Sequence, residues 1–168
     1  MPRIIFWDVD TQYDFMHADG KLYVPEAERI VGNLKRLTDY AHAHGIRIVA
    51  SADDHVTAHP EISDAPDWAT TFPPHCNPNV GVVLDVLAPD DIVLYGVATD
   101  VCDKAAVEGL LERRPRTRLF VVTDAVRGID KDVSEQLLKD WGDEGVRLVR
   151  TKEVVEEGLV EELARATA

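Results

Sequence analysis

The chain has 168 residues, 45% of them hydrophobic, and a formal net charge of −13, a size and apolar share that suit one domain over 1–168 with a single substantial core. The charge repels phosphate backbones and anionic membrane surfaces, which removes nucleic acid and membranes from the expected partners. No apolar stretch approaches the roughly 20 residues needed to span a bilayer. The opening "MPRIIFWDVD" lacks the cationic region and long apolar run of a secretory signal, so the expected location is the cytoplasm. Two cysteines, Cys76 and Cys102, are too few for a disulfide framework and read as free thiols.

Apolar runs alternate with longer amphipathic segments. The first strand is predicted over 3–9, "RIIFWDV", and the first long helix over about 26–44, ending at Gly45. A strand over 46–51, "IRIVAS", leads into a polar, proline-rich stretch that runs to about residue 78. Irregular stretches of that length inside one domain are usually functional or mobile. A helix follows near 79–88, a strand over 91–97, "DIVLYGV", and a helix over about 100–113. The chain then continues with a strand over 117–123, "TRLFVVT", a helix near 131–144, a strand over 146–149, "VRLV", and a final helix from about 153. Short Val-, Ile- and Leu-rich runs separated by helix-length segments predict an α/β fold. Its centre is a doubly wound parallel sheet of about five strands with helices on both faces. Right-handed crossovers give the order 2-1-3-4-5 and put the switch point between the first and third strands, where ligands bind at strand carboxyl ends. Asp8, Asp10 and Gln12 lie at one side of that crevice and Gly96 to Cys102 at the other.

Thr99 or Asp100 is placed to cap the helix after the third strand, which puts Cys102 in its first turn. Free N–H groups and the helix dipole there favour a thiolate, so Cys102 is a candidate nucleophile. A small side chain packing the strand–helix junction is the competing reading. Asp8 and Asp10 stand two apart at the end of an apolar strand, on one side of it if alternation holds, and a general base for the cysteine is one reason for carboxylates there. Solvation of a loop and capping of a turn is the other. In "ADDHVTAHPE" and "FPPHC", Asp53 and His55, with Glu61 or His59 and then His75, form a nitrogen and oxygen set that suits zinc, iron or manganese. Exposed, solvated histidines are the alternative.

Taken together, "DTQYDF" (10–15), "GVATDVC" (96–102), the acidic loop with "PPHC" and "VVTDA" (121–125) resemble the nicotinamidase and isochorismatase-like cysteine hydrolases over nearly the whole chain. The resemblance implies that Asp10 is the catalytic acid/base, with Asp8 flanking it, and that Cys102 is the nucleophile. It also implies a cis peptide at Val97-Ala98 and an oxyanion site made by the backbone N–H groups of Ala98 and Cys102. The implied divalent metal, zinc first with iron or manganese as alternatives, would be held by Asp53, His55, Glu61 and His75. Phe15 and Trp68 would wall a flat ring. The implied reaction is hydrolysis of a small carboxamide, nicotinamide foremost, through a thioester, by a homo-oligomer.

One family element has no counterpart. The third catalytic residue, a lysine between the "PPHC"-like stretch and the "GVATD" strand, is absent, and no Lys or Arg occurs from Ile48 through Asp103. Loss of one positioned donor beside a developing oxyanion costs about 3–4 kcal/mol. A catalytically impaired relative that binds a small molecule or a partner chain is therefore the alternative function. The "DVD" of residues 8–10 also resembles the opening of magnesium-dependent phosphatases with an aspartyl nucleophile, but that class wants a hydroxyl where Gln12 stands.

Overall fold

The strand β1 (Ile4–Val9) is enclosed on both faces, with Phe6 packed to one side and Ile5, Trp7 and Val9 to the other. Such two-sided burial is what a central parallel strand requires. A computed structural model of the chain describes residues 3–53, 63, 65, 71 and 80–166. Along them β1 is followed by a short α1 (Tyr13–Met16), a 3-10 turn (Ala27–Ile30) that runs into α2 (Val31–Ala43), and β2 (Arg47–Ser51). Next come α3 (Val80–Leu87), β3 (Asp91–Val97), α4 (Cys102–Arg113), β4 (Arg118–Arg127) and α5 (Lys131–Asp143). The chain closes with β5 (Arg147–Val149), α6 (Thr151–Val155) and α7 (Leu159–Ala166). Among the described residues the strand pairings are parallel, in the predicted order β2-β1-β3-β4-β5.

Helices cover both faces. Leu34, Leu37 and Ala41 of α2, Val154 of α6 and Leu159 and Leu163 of α7 pack with Phe6, Tyr95 and Phe120 on one side. Leu84 of α3, Val107 and Leu110 of α4 and Trp141 of α5 pack with Trp7, Leu94 and Val121 on the other. At the centre, Gly96 on β3 faces Val9 on β1 with φ 136, and a Cβ there would fall 2.0 Å from the Val9 carbonyl oxygen. The two strand ends that flank the switch point therefore approach as closely as backbone allows.

Several boundaries differ from the sequence expectation. The helix predicted over 26–44 divides at Ile30 into a 3-10 turn and α2, and the final helix divides into α6 and α7 around Gly158, whose φ is 79. β4 continues past Thr123 to Arg127. Asp124 reads as a strand end, but its carboxylate accepts hydrogen bonds from the Thr151 N–H at 2.8 Å and hydroxyl at 2.9 Å, while its carbonyl accepts from the Asn33 amide at 2.6 Å. A polar residue satisfied in this way does not stop a strand.

Candidate active site

β1 ends at Val9, and Asp10 takes a left-handed φ of 49, which aspartate tolerates better than most residues. Its N–H donates to Ser51 O at 3.2 Å, and its carbonyl accepts from the Gln12 N–H at 2.7 Å. The reversal takes Asp10 out of strand alternation. Across the switch point β3 ends at Val97, the Val97-Ala98 peptide is cis, and the Ala98 carbonyl accepts the N–H groups of Val101 and Asp103, each at 3.0 Å. This winding starts α4 at Cys102, a half-buried free cysteine whose thiol stands close enough to the Asp10 carboxylate for that charge to act on it. Among the described residues, the N–H groups of Ala98 and Cys102 donate to no other backbone group outside the helices and strands.

Two expectations about this turn are corrected. Neither Thr99 nor Asp100 caps α4: the capping position is Val101, with no side-chain bond. Asp100 reaches away instead, accepting the N–H of Ile129 at 2.9 Å and of Asp130 at 2.8 Å. Nor does the helix start hold a thiolate. Burial foremost, then the negative charge of Asp10 and the hydrogen bond to it, then Asp103, push the Cys102 thiol up, against a small lowering by the Ala98 backbone. Desolvation and neighbouring carboxylates outweigh the helix end.

Asp8 and Asp103 complete an acidic surround. Burial raises the Asp8 carboxyl, the Thr11 hydroxyl lowers it by a hydrogen bond, and Asp10 adds repulsion. Asp103 is fully enclosed. Sequence reasoning passed over it because an acidic residue in a helix's first turn is ordinary. The available signal was its spacing to Val107 and Leu110, which sets it on the inward stripe of α4.

Asp53 lies just beyond β2 and is 9% exposed. The Gln12 side-chain amide holds its backbone at both ends: Asp53 N–H donates to Gln12 Oε1 at 2.7 Å, and Gln12 Nε2 donates to Asp53 O at 3.1 Å. Gln12 so extends the β1–β2 ladder with a side chain after β1 itself has turned away. A carboxylate fixed in this manner suits a zinc ligand. His55, His59, Glu61, Trp68 and His75 lie outside the described residues, and within those residues no group of three or more metal-ligating side chains occurs. Phe15 is 7% exposed and belongs to the same buried cluster as Val97 and Ala98. A cavity of about 710 Å³ adjoins the turn at Thr99, lined by Arg29, Arg127 and Lys131 among others. Two of those cations pair within it, Arg29 with Glu26 at 2.5 Å and Lys131 with Glu135 at 3.6 Å. It contains neither Asp10 nor Cys102.

No helix among the described residues is long and apolar enough to cross a membrane. No family model matches the chain. A nicotinamidase of Schizosaccharomyces pombe is 29% identical over 73 residues, so the match spans 44% of this chain and about a third, 32%, of that enzyme's length. A pyrazinamidase of Pyrococcus horikoshii in complex with zinc has a TM-score of 0.72 at 22% identity, over 89% of this chain and 99% of that one. An isochorismatase-like hydrolase of Alkaliphilus metalliredigens also has a TM-score of 0.72, at 17% identity, over 92% of this chain and 98% of that one. With its motifs at the carboxyl ends of β1 and β3, the chain resembles the nicotinamidases and isochorismatase-like hydrolases and shares their fold.

Proposed function

We propose that the chain is a cysteine-dependent amidohydrolase that cleaves a small carboxamide through a thioester, with nicotinamide the leading substrate. The observation that carries this reading is the Cys102 thiol beside the Asp10 carboxylate where the ends of β1 and β3 meet at the switch point of the sheet. Asp10 takes the thiol proton as Cys102 Sγ attacks the carboxamide carbon. The N–H groups of Ala98 and Cys102 receive the oxyanion. Collapse expels ammonia, to which Asp10 returns the proton, and leaves the acyl group on sulfur. Asp10 then draws a proton from water as its oxygen adds to the thioester, and the acid product leaves as the thiol re-forms. A divalent ion, zinc first and iron or manganese otherwise, held by Asp53 with His55, Glu61 and His75, would supply Lewis-acid polarisation. The same reading makes the protein a cytoplasmic homo-oligomer acting on a small molecule.

Among the described residues no lysine or arginine forms an ion pair with Asp10. The expected rate is accordingly lower than that of an enzyme with a positioned cation, by about 10²- to 10³-fold. That shortfall also favours a second reading, a binding domain that has kept the pocket. Ammonia release from nicotinamide separates the two. The hydrolase reading requires release that disappears in both Cys102→Ala and Asp10→Asn, together with an acyl adduct on Cys102 in quenched reactions. Binding of the amide without ammonia, or release that survives Cys102→Ala, overturns it.

A further inference from the structure

The inward stripe of α4 should be apolar, yet Asp103 shares it with Val107 and Leu110 and has no exposure. Neither carboxyl oxygen has a hydrogen-bond partner among the described residues; the buried Thr99 hydroxyl is close enough to lower its pKa somewhat but lacks hydrogen-bond geometry. The charged groups that face it are all acidic: Asp8 from β1, Asp10 just beyond it and Asp100 from the turn before α4. Cys102 is its neighbour in the chain, and β3 contributes only apolar side chains, Ile92 and Leu94, to this face. Lys104, the nearest cation in sequence, is exposed and faces Glu108 at 4.0 Å.

We infer that Asp103 is a positioning residue for the nucleophile, kept as an un-ionised carboxylic acid so that the enclosed floor beneath Cys102 carries no charge while Asp10 draws off the thiol proton. This rests on reading Cys102 as the nucleophile. Among the described residues no lysine or arginine pairs with Asp8, Asp10 or Asp103, so three carboxylates and a thiolate would repel one another there, and a proton held on Asp103 removes one of those charges. Burial first, then Asp10, hold the Asp103 carboxyl well above the ordinary aspartate range, in agreement with that arrangement. The folded chain thus retains a proton that the unfolded chain releases near pH 4, so stability falls as pH rises from about 4 to the folded pKa. Asparagine, neutral and of the same shape, should remove that fall.

The test uses the full chain in a Cys76→Ser background, so that iodoacetamide reads Cys102 alone, and compares it with Asp103→Asn across pH. The expected ratio of alkylation rates, variant over parent, is near one at low pH and climbs to about tenfold or more once Asp103 ionises in the parent, the repulsion of one neighbouring charge. The variant should also unfold at a higher temperature near neutral pH and show a flatter dependence of unfolding temperature on pH. A ratio that does not change with pH, an unaltered stability slope, or an Asp103→Asn chain that fails to fold overturns the inference. Absence of ammonia release with the pH signature intact would sink the hydrolase reading and leave this one standing. Release with a flat ratio would do the reverse.

Discussion

Replacing Gly96 with alanine perturbs the contact that assembles the site. An ideal Cβ at this position lies 2.0 Å from Val9 O and 2.7 Å from Val9 N, and both are backbone atoms that cannot swing aside. Ordinary contact begins near 3.4 Å, so β1 and β3 must part by about 1 Å or β3 must re-twist. Two costs add. A side chain at φ 136 is strained by about 1–3 kcal/mol, and forced overpacking costs about 1–3 kcal/mol more. The expected loss is therefore about 2–6 kcal/mol, a large part of the roughly 5–15 kcal/mol that holds a domain together. Asp10 follows Val9 directly, so the displacement passes to its approach to Cys102, and a 1 Å misplacement costs about 10²-fold in rate. Urea unfolding would give the stability change as a shift in midpoint at constant slope, and ammonia release at saturating amide would give kcat. An alanine variant within about 0.5 kcal/mol of the parent, with kcat unchanged, would refute the claim that this approach of β1 to β3 builds the site.

Gln12→Ala removes both hydrogen bonds to the Asp53 backbone; zinc affinity, read by competition with a chromophoric chelator, should fall about 10- to 100-fold, the usual effect of losing a residue that orients a ligand. Unchanged affinity would show that the loop holds Asp53 without help. Arg118→Met strips the partners at 2.5 and 2.9 Å from the fully enclosed Asp91 carboxylate. It should cost about 3 kcal/mol, the low end for a buried pair because Arg118 itself stays 43% exposed, and Asp91→Asn in the same chain should recover much of it. Thermal unfolding of the two variants checks both statements.

The sheet was legible because strands covered on both faces are written as unbroken apolar runs: all seven residues of β3, "DIVLYGV", are buried. The order followed from crossover handedness, and Asp10 and Cys102 were placed together because both sit at strand ends that the topology makes neighbours. What escaped the sequence depends on partners far along the chain. Gln12 finds Asp53 across 41 positions, Asp100 finds Ile129 across 29, and Asp124 finds Thr151 across 27. Local pattern assigns such polar residues to caps and loops. The protonation of the sulfur was misread for a related reason: a helix start can be counted from sequence, whereas the burial that opposes it, and the enclosure of Asp103, exist only after packing.

The hold of Asp100 on Ile129 and Asp130 makes the turn that presents the sulfur and the approach to α5 a single mechanical piece. Gly128 reinforces the joint, since a Cβ there would strike Ser134 Oγ at 1.8 Å and Asp100 Oδ1 at 2.9 Å. Resurfacing of α5 for solubility or for a new interface must therefore leave its first turn alone. A bulky residue at 128, remote in the chain from both Asp10 and Cys102, would lever the Cys102 sulfur out of line.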